Sequence, residues 1–295
     1  MRSPALRASL AAFALPLLLS GCSLLPTTRK LPVPKAPAIV QTIAPEALVA
    51  QLNQRWDAVH ALTATVEIQA TELRTNEGVA KDWPSARGFI LMRKPSMLRV
   101  VGQYFGVRVF DMASDGKNFI LDIPSKSKAI KGSDAVTKKS PNAFENLRPD
   151  FFLDAMLVRG VEPAEFVSVA ADTETIEDAA KKHLLLTPEY VLSIMRREAG
   201  SQVLMPVRVI TFHRDDLLPY EQDIYDSEGN LASHVSYSGY QNFDAGMYPS
   251  KIVIKRPIEG IRIVLTVVKV AENMTLPDDQ FEVKIPAGTN VQVLQ

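Results

Sequence analysis

The 295-residue chain has one cysteine, four histidines and no excess of either charge, with 33 basic side chains against 33 acidic. One cysteine excludes an internal disulfide, and no Cys/His pair has zinc-ligand spacing, so disulfide scaffolds, zinc modules and thiol redox pairs are ruled out. The missing basic excess argues against a nucleic-acid binder. No apolar run approaches the roughly 20 residues of a spanning helix. Catalytic signatures are absent as well. His60, His183, His213 and His234 are scattered, with neither HExxH nor the GxSxG nucleophile elbow. Ser125-Lys126-Ser127-Lys128 matches SxxK in form only, because it lies beyond a strand in a lysine-rich loop (Lys131, Lys138, Lys139) instead of opening a helix. That loop is either plainly solvated or a contact for phosphates or an acidic face. Asp215-Asp216 and Asp278-Asp279 are adjacent carboxylates of the kind usually solvated in turns. An enzyme, a metal site and a cofactor are therefore not expected. A hydrophobic fraction of 46% fits a soluble globular protein.

The N-terminus reads as an address. Arg2 and Arg7 precede an apolar run from Leu10 to Leu19, then Ser20 and Gly21, which is the layout of a secretory signal over 1–21. The sole cysteine follows in Leu19-Ser20-Gly21-Cys22. This resembles the bacterial lipobox, which implies cleavage before Cys22 and its acylation; an ordinary signal with an incidental cysteine is the alternative. Two or more acyl chains hold a protein stably on a membrane. Removing Arg2 and Arg7 leaves a net charge of about −2, so attraction to anionic lipid is not the anchor. Ser23 stands where an aspartate would favour inner-membrane retention, which points to the periplasmic face of the outer membrane.

Five prolines between residues 26 and 45 favour extended polyproline conformation, so 22–44 reads as a tether and 45–295 as one domain. Leu48, Leu52, Trp56 and Val59 recur on one face of a helix, and Pro45 suits its first turn. Runs rich in Val, Ile, Thr and aromatics then give about eleven strands, at 63–74, 86–93, 97–102, 106–114, 117–123, 183–197, 204–214, 218–226, 231–240, 249–256 and 261–270. Hairpin chemistry at Ser114-Asp115-Gly116-Lys117 and Ser227-Glu228-Gly229-Asn230 makes the sheet antiparallel. Between 141 and 158, residues 142–147 and 149–157 read as two short helices. Residues 160–182 are ambiguous, with a further strand at 165–171 as one reading. The fold class expected is mainly β (α+β): a half-open, curved antiparallel β-barrel of about eleven strands with a helical lid. A concave face not plugged by its own side chains would leave an apolar cavity for a lipid-like ligand.

Three stretches carry a family likeness: Gly88-Phe89-Ile90-Leu91-Met92-Arg93-Lys94-Pro95-Ser96-Met97-Leu98-Arg99, then Ser114-Asp115-Gly116-Lys117-Asn118-Phe119, and finally residues 276–288 with Phe281, Pro286 and Gly288. In order and spacing, from about 46 to 290, they resemble the LolA/LolB family of lipoprotein carriers and receptors. The resemblance implies a half-open antiparallel barrel with helices as a lid, whose cavity shields lipoprotein acyl chains, and a soluble periplasmic carrier as a partner. The carrier's latch arginine, just before the strand-ending proline, is matched by Lys94, which lacks the planar fork of arginine. The receptor's protruding apolar loop is matched by Gly102-Gln103-Tyr104-Phe105-Gly106. There Tyr104 and Phe105 either insert into a membrane or fold back on the barrel.

Alternation about Arg99 places Leu98 and Val100 inward. The same reasoning gives Phe119 and Leu121, Leu192 and Ile194, and Ile252 and Ile254 as ligand-facing or plain core. Trp56, Phe151 and Phe152 are the lid's candidates. The function expected is a membrane-anchored periplasmic lipoprotein that binds lipid or lipoprotein acyl chains for transfer to the outer membrane, as a monomer without nucleic acid. Two alternatives stay open: a same-fold interaction protein (an envelope sensor or assembly factor) without transport, and a structural lipoprotein with a filled core.

Overall fold

The computed structural model describes residues 39–74, 78–133, 149–178, 183–198 and 200–294. The expected signal, Cys22, most of the proline-rich stretch, the helix at 142–147 and Lys138 and Lys139 lie outside the described residues.

Helix α1 (Pro45–Ala58) comes first, followed by β1 (Ala61–Arg74), β2 (Val79–Asp82), β3 (Ala86–Arg93), β4 (Met97–Tyr104), β5 (Val107–Ser114), β6 (Asn118–Ile123) and β7 (Lys128–Ser133). Helix α2 (Asp150–Met156) precedes β8 (Phe166–Asp178), β9 (His183–Arg197), β10 (Leu204–His213), β11 (Pro219–Tyr225) and β12 (Leu231–Phe243). The last strands are β13 (Gly246–Arg256), β14 (Ile261–Glu272) and β15 (Asn290–Val293). All fifteen join one sheet in the order β15-β7-β6-β5-β4-β3-β1-β14-β13-β12-β11-β10-β9-β8, with β2 beside β1. Pairing is antiparallel except between β15 and β7.

Each of the eleven expected strands is present, but the expected barrel of eleven is replaced by an open sheet of fifteen whose outer strands, β15 and β8, do not meet. The added strands have compositions that hide them. Val79–Asp82 is exposed throughout, Lys128–Ser133 carries two lysines, and β15 has four residues. β8 runs well past the segment suggested at 165–171, through an acid-rich sequence of low β-propensity held by a thirteen-residue pairing with β9.

The sheet is bent. One buried cluster joins Met112 of β5 to Val235 of β12, six strands apart in the sheet order, which at about 4.8 Å per strand would be nearly 30 Å on a flat sheet. Register shifts at Thr65/Val66, Gly102/Gln103, Pro206/Arg208, Thr211/Phe212 and Ile224/Tyr225 supply bulges, which bend strands locally. The convex side is covered by the chain after β14. Leu276 and Phe281 bury against Ala61, Leu91 and Met97, while Arg93 and Arg99 donate to Leu276 O (2.5 Å) and Gln280 O (2.9 Å).

Residues 39–44, expected as the end of the tether, lie against the domain. Gln41 N donates to Arg214 O (2.6 Å), and Ile43 N to the Tyr190 hydroxyl (3.3 Å). Helix α1 then begins at Pro45, whose missing N–H is no loss in a first turn.

Candidate functional site

The concave face holds α2. Seven residues are too few for a stable isolated helix, so tertiary contacts must hold it. Its burial shows which: Phe151, Phe152, Leu153, Ala155 and Met156 are all buried, with Leu157 just beyond. The Phe151 and Phe152 rings lie 4.2 Å apart between their centroids. Around them, in one cluster, are Leu98 and Val100 from β4 and Ile252 and Ile254 from β13, all 0% exposed. The expectation of a concave wall left vacant is therefore corrected. Among the described residues these side chains form a closed core, and α2 is the piece that closes it.

Polar groups on the wall grip the end of this helix. The last carbonyls of an α-helix have no partner within it. Here Gln222 Nε2 donates to Asp154 O (3.0 Å) and the Tyr248 hydroxyl to Met156 O (2.7 Å). Arg208, 5% exposed, donates to Arg159 O (2.8 Å) and Gly160 O (2.9 Å) and pairs with Glu165 (3.2 Å). Asp154 meets Arg159 at 2.6 Å. Burial pushes the Asp154 carboxyl up from its ordinary value, with Arg159 and Arg208 pulling the other way; burial likewise lowers Arg208. Two wall atoms have no hydrogen-bond partner among the described residues: the Tyr237 hydroxyl and Gln222 Oε1.

The other candidates divide by position. Leu192 and Ile194 sit in a second buried cluster with Tyr190, Ile210 and Phe212, covered by Leu48 and Leu52 of α1 rather than by α2. Trp56 is half-buried against the first cluster. Lys94 donates to Trp56 O, and its ammonium lies 3.9 Å from the centroid of the indole ring. It thus ties the β3–β4 turn to the last turn of α1, and burial lowers its pKa. Phe119 is buried over Gly132, where a β-carbon would come within 2.7 Å of the ring; Leu121, on the same face of β6, is half-buried.

Tyr104 and Phe105 point away from the body. Phe105 is 90% exposed, Val107 68% and Tyr104 44%, and the Tyr104 and Phe105 rings meet edge-on with centroids 4.6 Å apart. The two-residue turn Phe105-Gly106 has φ of +47° and +77°. Such a turn selects Asn-Gly, and a bulky aromatic in the left-handed region is strained.

Two features lie on the outer face. A shallow depression of 220 Å³ is lined by Thr63, Thr65, Phe89, Leu91 and Lys269. On β11 and β12, Asp223 Oδ1, His234 Nδ1, His234 Nε2 and Ser236 Oγ form a chain with distances of 2.7 and 3.3 Å. The order is that of a hydrolase triad. However, β12 is paired on both sides at these positions, so the ladder occupies the backbone N–H groups an oxyanion hole would need.

Sequence reading missed Arg208, Gln222, Tyr237 and Tyr248. For two of them a signal existed: alternation puts Gln222 on the face of Ile224, and Tyr237 on that of Val235. A polar group at an inward position is the anomaly that could have marked them.

No protein-family model and no curated protein matches the chain. Solved structures do. A LolA superfamily protein from Nitrosomonas europaea superposes with a TM-score of 0.50 at 14% identity, over 82% of this chain and 99% of that one. A domain described as an outer membrane lipoprotein-sorting protein, from Vibrio parahaemolyticus, gives 0.47 at 10% identity over 80% and 94%. A DUF1329 family protein from Desulfovibrio piger gives 0.45 at 14% over 80% and 95%. The chain has a LolA-like fold.

Proposed function

From a LolA-like fold whose concave face is closed by its own short helix, we propose that this protein is a periplasmic lipoprotein that takes up acyl chains of lipid or acylated protein when α2 withdraws. The observation that carries the reading is the way the interior is filled. A separate seven-residue element, buried in one cluster with residues of the wall strands, supplies part of the interior. Five large apolar side chains, from Phe151 to Leu157, are worth about 10 kcal/mol of burial at roughly 2 kcal/mol each. A 16-carbon acyl chain is worth on the order of 10 kcal/mol on the same scale. Exchange of helix for ligand is then nearly balanced, as a carrier that must also release requires.

The lid is α2 with α1 beside it, and Lys94 holds α1 to the β3–β4 turn. The Tyr104-Phe105 hairpin is the membrane contact: a strained, exposed aromatic at a turn tip has no packing role, and it suits an interface. Acylation of Cys22 supplies the anchor, with residues 22–44 as tether and the outer membrane as its site. This part rests on the lipobox resemblance and on Ser23.

The test is native mass spectrometry of the full chain carrying Cys22→Ala, with and without delipidation. Co-purifying lipid, restored by added diacyl lipid, is the expected result; bare protein under every extraction condition would refute uptake. In cells, Cys22→Ala should move the protein from the membrane to the soluble fraction.

A further inference from the structure

The polar groups of the concave wall form a band. Arg208 lies on β10, Gln222 on β11, Tyr237 on β12 and Tyr248 on β13, one residue from each of four adjacent strands. Two of them donate to carbonyl oxygens of α2 that the helix cannot satisfy itself. In helical geometry two such oxygens, two residues apart, are separated by about 5 Å. Esters on neighbouring carbons of glycerol present acceptors of the same kind at comparable separation. The Tyr237 hydroxyl sits in the same buried cluster as Tyr248, within a residue only 4% exposed, and donates to nothing described; Gln222 Oε1, in a residue 1% exposed, accepts nothing. A buried polar group without a partner is costly and rare, so both atoms call for a partner that the closed form does not supply.

We propose that Gln222, Tyr237 and Tyr248 are the ester-recognition groups of the ligand site, and that α2 in the closed form occupies two of them as an internal stand-in for ligand carbonyls. The inference rests on the uptake reading above and narrows it. The ligand is a fatty-acyl ester of glycerol, as in a phospholipid or an acylated cysteine. It offers carbonyls to the Gln222 amide and the two tyrosine hydroxyls, and a neighbouring O–H or N–H to Gln222 Oε1. Free hydrocarbon or an ether lipid would fill the same space without answering the donors.

The test compares dioctanoylglycerol with its dioctyl ether, which has the same chains and no carbonyls, as competitors of a bound hydrophobic dye on the full chain carrying Cys22→Ala. The ester should bind about tenfold tighter, as expected for one to two neutral hydrogen bonds. Tyr237→Phe, which removes a hydroxyl that makes no hydrogen bond to α2, should lower that preference to about threefold or less while leaving ether affinity unchanged. Gln222→Leu is the second variant for the same ratio. Tyr248→Phe should strengthen ether binding, because it frees α2, and still reduce the preference; a latch alone would strengthen both ligands equally. Equal binding of ester and ether by the unaltered protein, or a preference that survives Tyr237→Phe and Gln222→Leu, would overturn ester recognition and leave acyl uptake standing. If neither ligand displaces dye, even from Tyr248→Phe, both readings fall. Adding a phosphatidylglycerol and a diacylated cysteine peptide to the series distinguishes the two sources of the ester.

Discussion

Single residues in this protein are strained or uncompensated where core packing alone would not require it. Phe105 holds φ at +47° with its ring in solvent, where asparagine would hold the same turn without strain. Phe105→Asn should therefore raise stability by about 1 kcal/mol in urea melts and weaken sedimentation with liposomes. If stability and liposome binding both fall, the ring belongs to the fold and not to a membrane contact. Glu189 is a second case. Its carboxyl is pushed up to about 7 by burial, reinforced by Glu174, Glu221 and Asp172, while its neighbour His213, 3.5 Å away, is lowered by burial. In the folded state Glu189 holds its proton more tightly than in the unfolded chain. Stability is thus lost as pH rises from about 4.5 to about 7 and stays lost above that. Glu189→Gln should raise the Tm at pH 8 and leave it unchanged at pH 4. A gain of about 1 kcal/mol would raise the Tm by about 2–4 °C in a chain of this size.

At the scale of elements, α2 is the informative one. Its helical state follows from the wall: the apolar face is matched by the cluster, and its C-terminal carbonyls are matched by Gln222 and Tyr248. Phe152→Ala should cost about 3–5 kcal/mol in chemical denaturation, as a large-to-small change in a closed core, and should raise uptake of a hydrophobic dye by the folded protein. A loss of stability without any gain in dye uptake would make α2 an ordinary core helix. The helix pair also shows how far local pattern reaches. The spacing of Leu48, Leu52 and Trp56 marks α1 unambiguously, and Leu48 and Leu52 are buried. The run Phe151-Phe152-Leu153 marks an apolar helix but cannot say what it buries against.

For the molecule as a whole, the sheet has two ends with different fates. β7 is covered by β15, which the chain brings back across the convex face through Leu276 and Phe281. Among the described residues β8 pairs only with β9, and its outer half carries Asp172, Glu174 and Glu177, charges that discourage edge-to-edge association. Truncation after Glu272 would strip the cover from Ala61, Leu91 and Met97 and leave β7 open. Its expected result is a lower Tm together with concentration-dependent association in ultracentrifugation. A monomeric truncated chain that melts at the original temperature would show the return segment to be dispensable.

What the sequence determined by itself is local. Eleven strands, α1, the inward faces of Leu98, Val100, Ile252 and Ile254, and the hairpin turn at Tyr104 and Phe105, though not the exposure of its rings, were legible, because period-two alternation and turn chemistry act between near neighbours. Three strands (β2, β7 and β15) escaped it, and β8 was offered only over 165–171, since a short or acid-rich stretch becomes a strand only when a partner strand is already there to pair with. Whether the concave face is vacant or closed is a question of volume among residues up to about 200 positions apart, and only the tertiary structure answers it. The same holds for the band of Arg208, Gln222, Tyr237 and Tyr248. Each looks like an ordinary polar residue along the chain, and becomes part of a site only when four adjacent strands bend around one short helix.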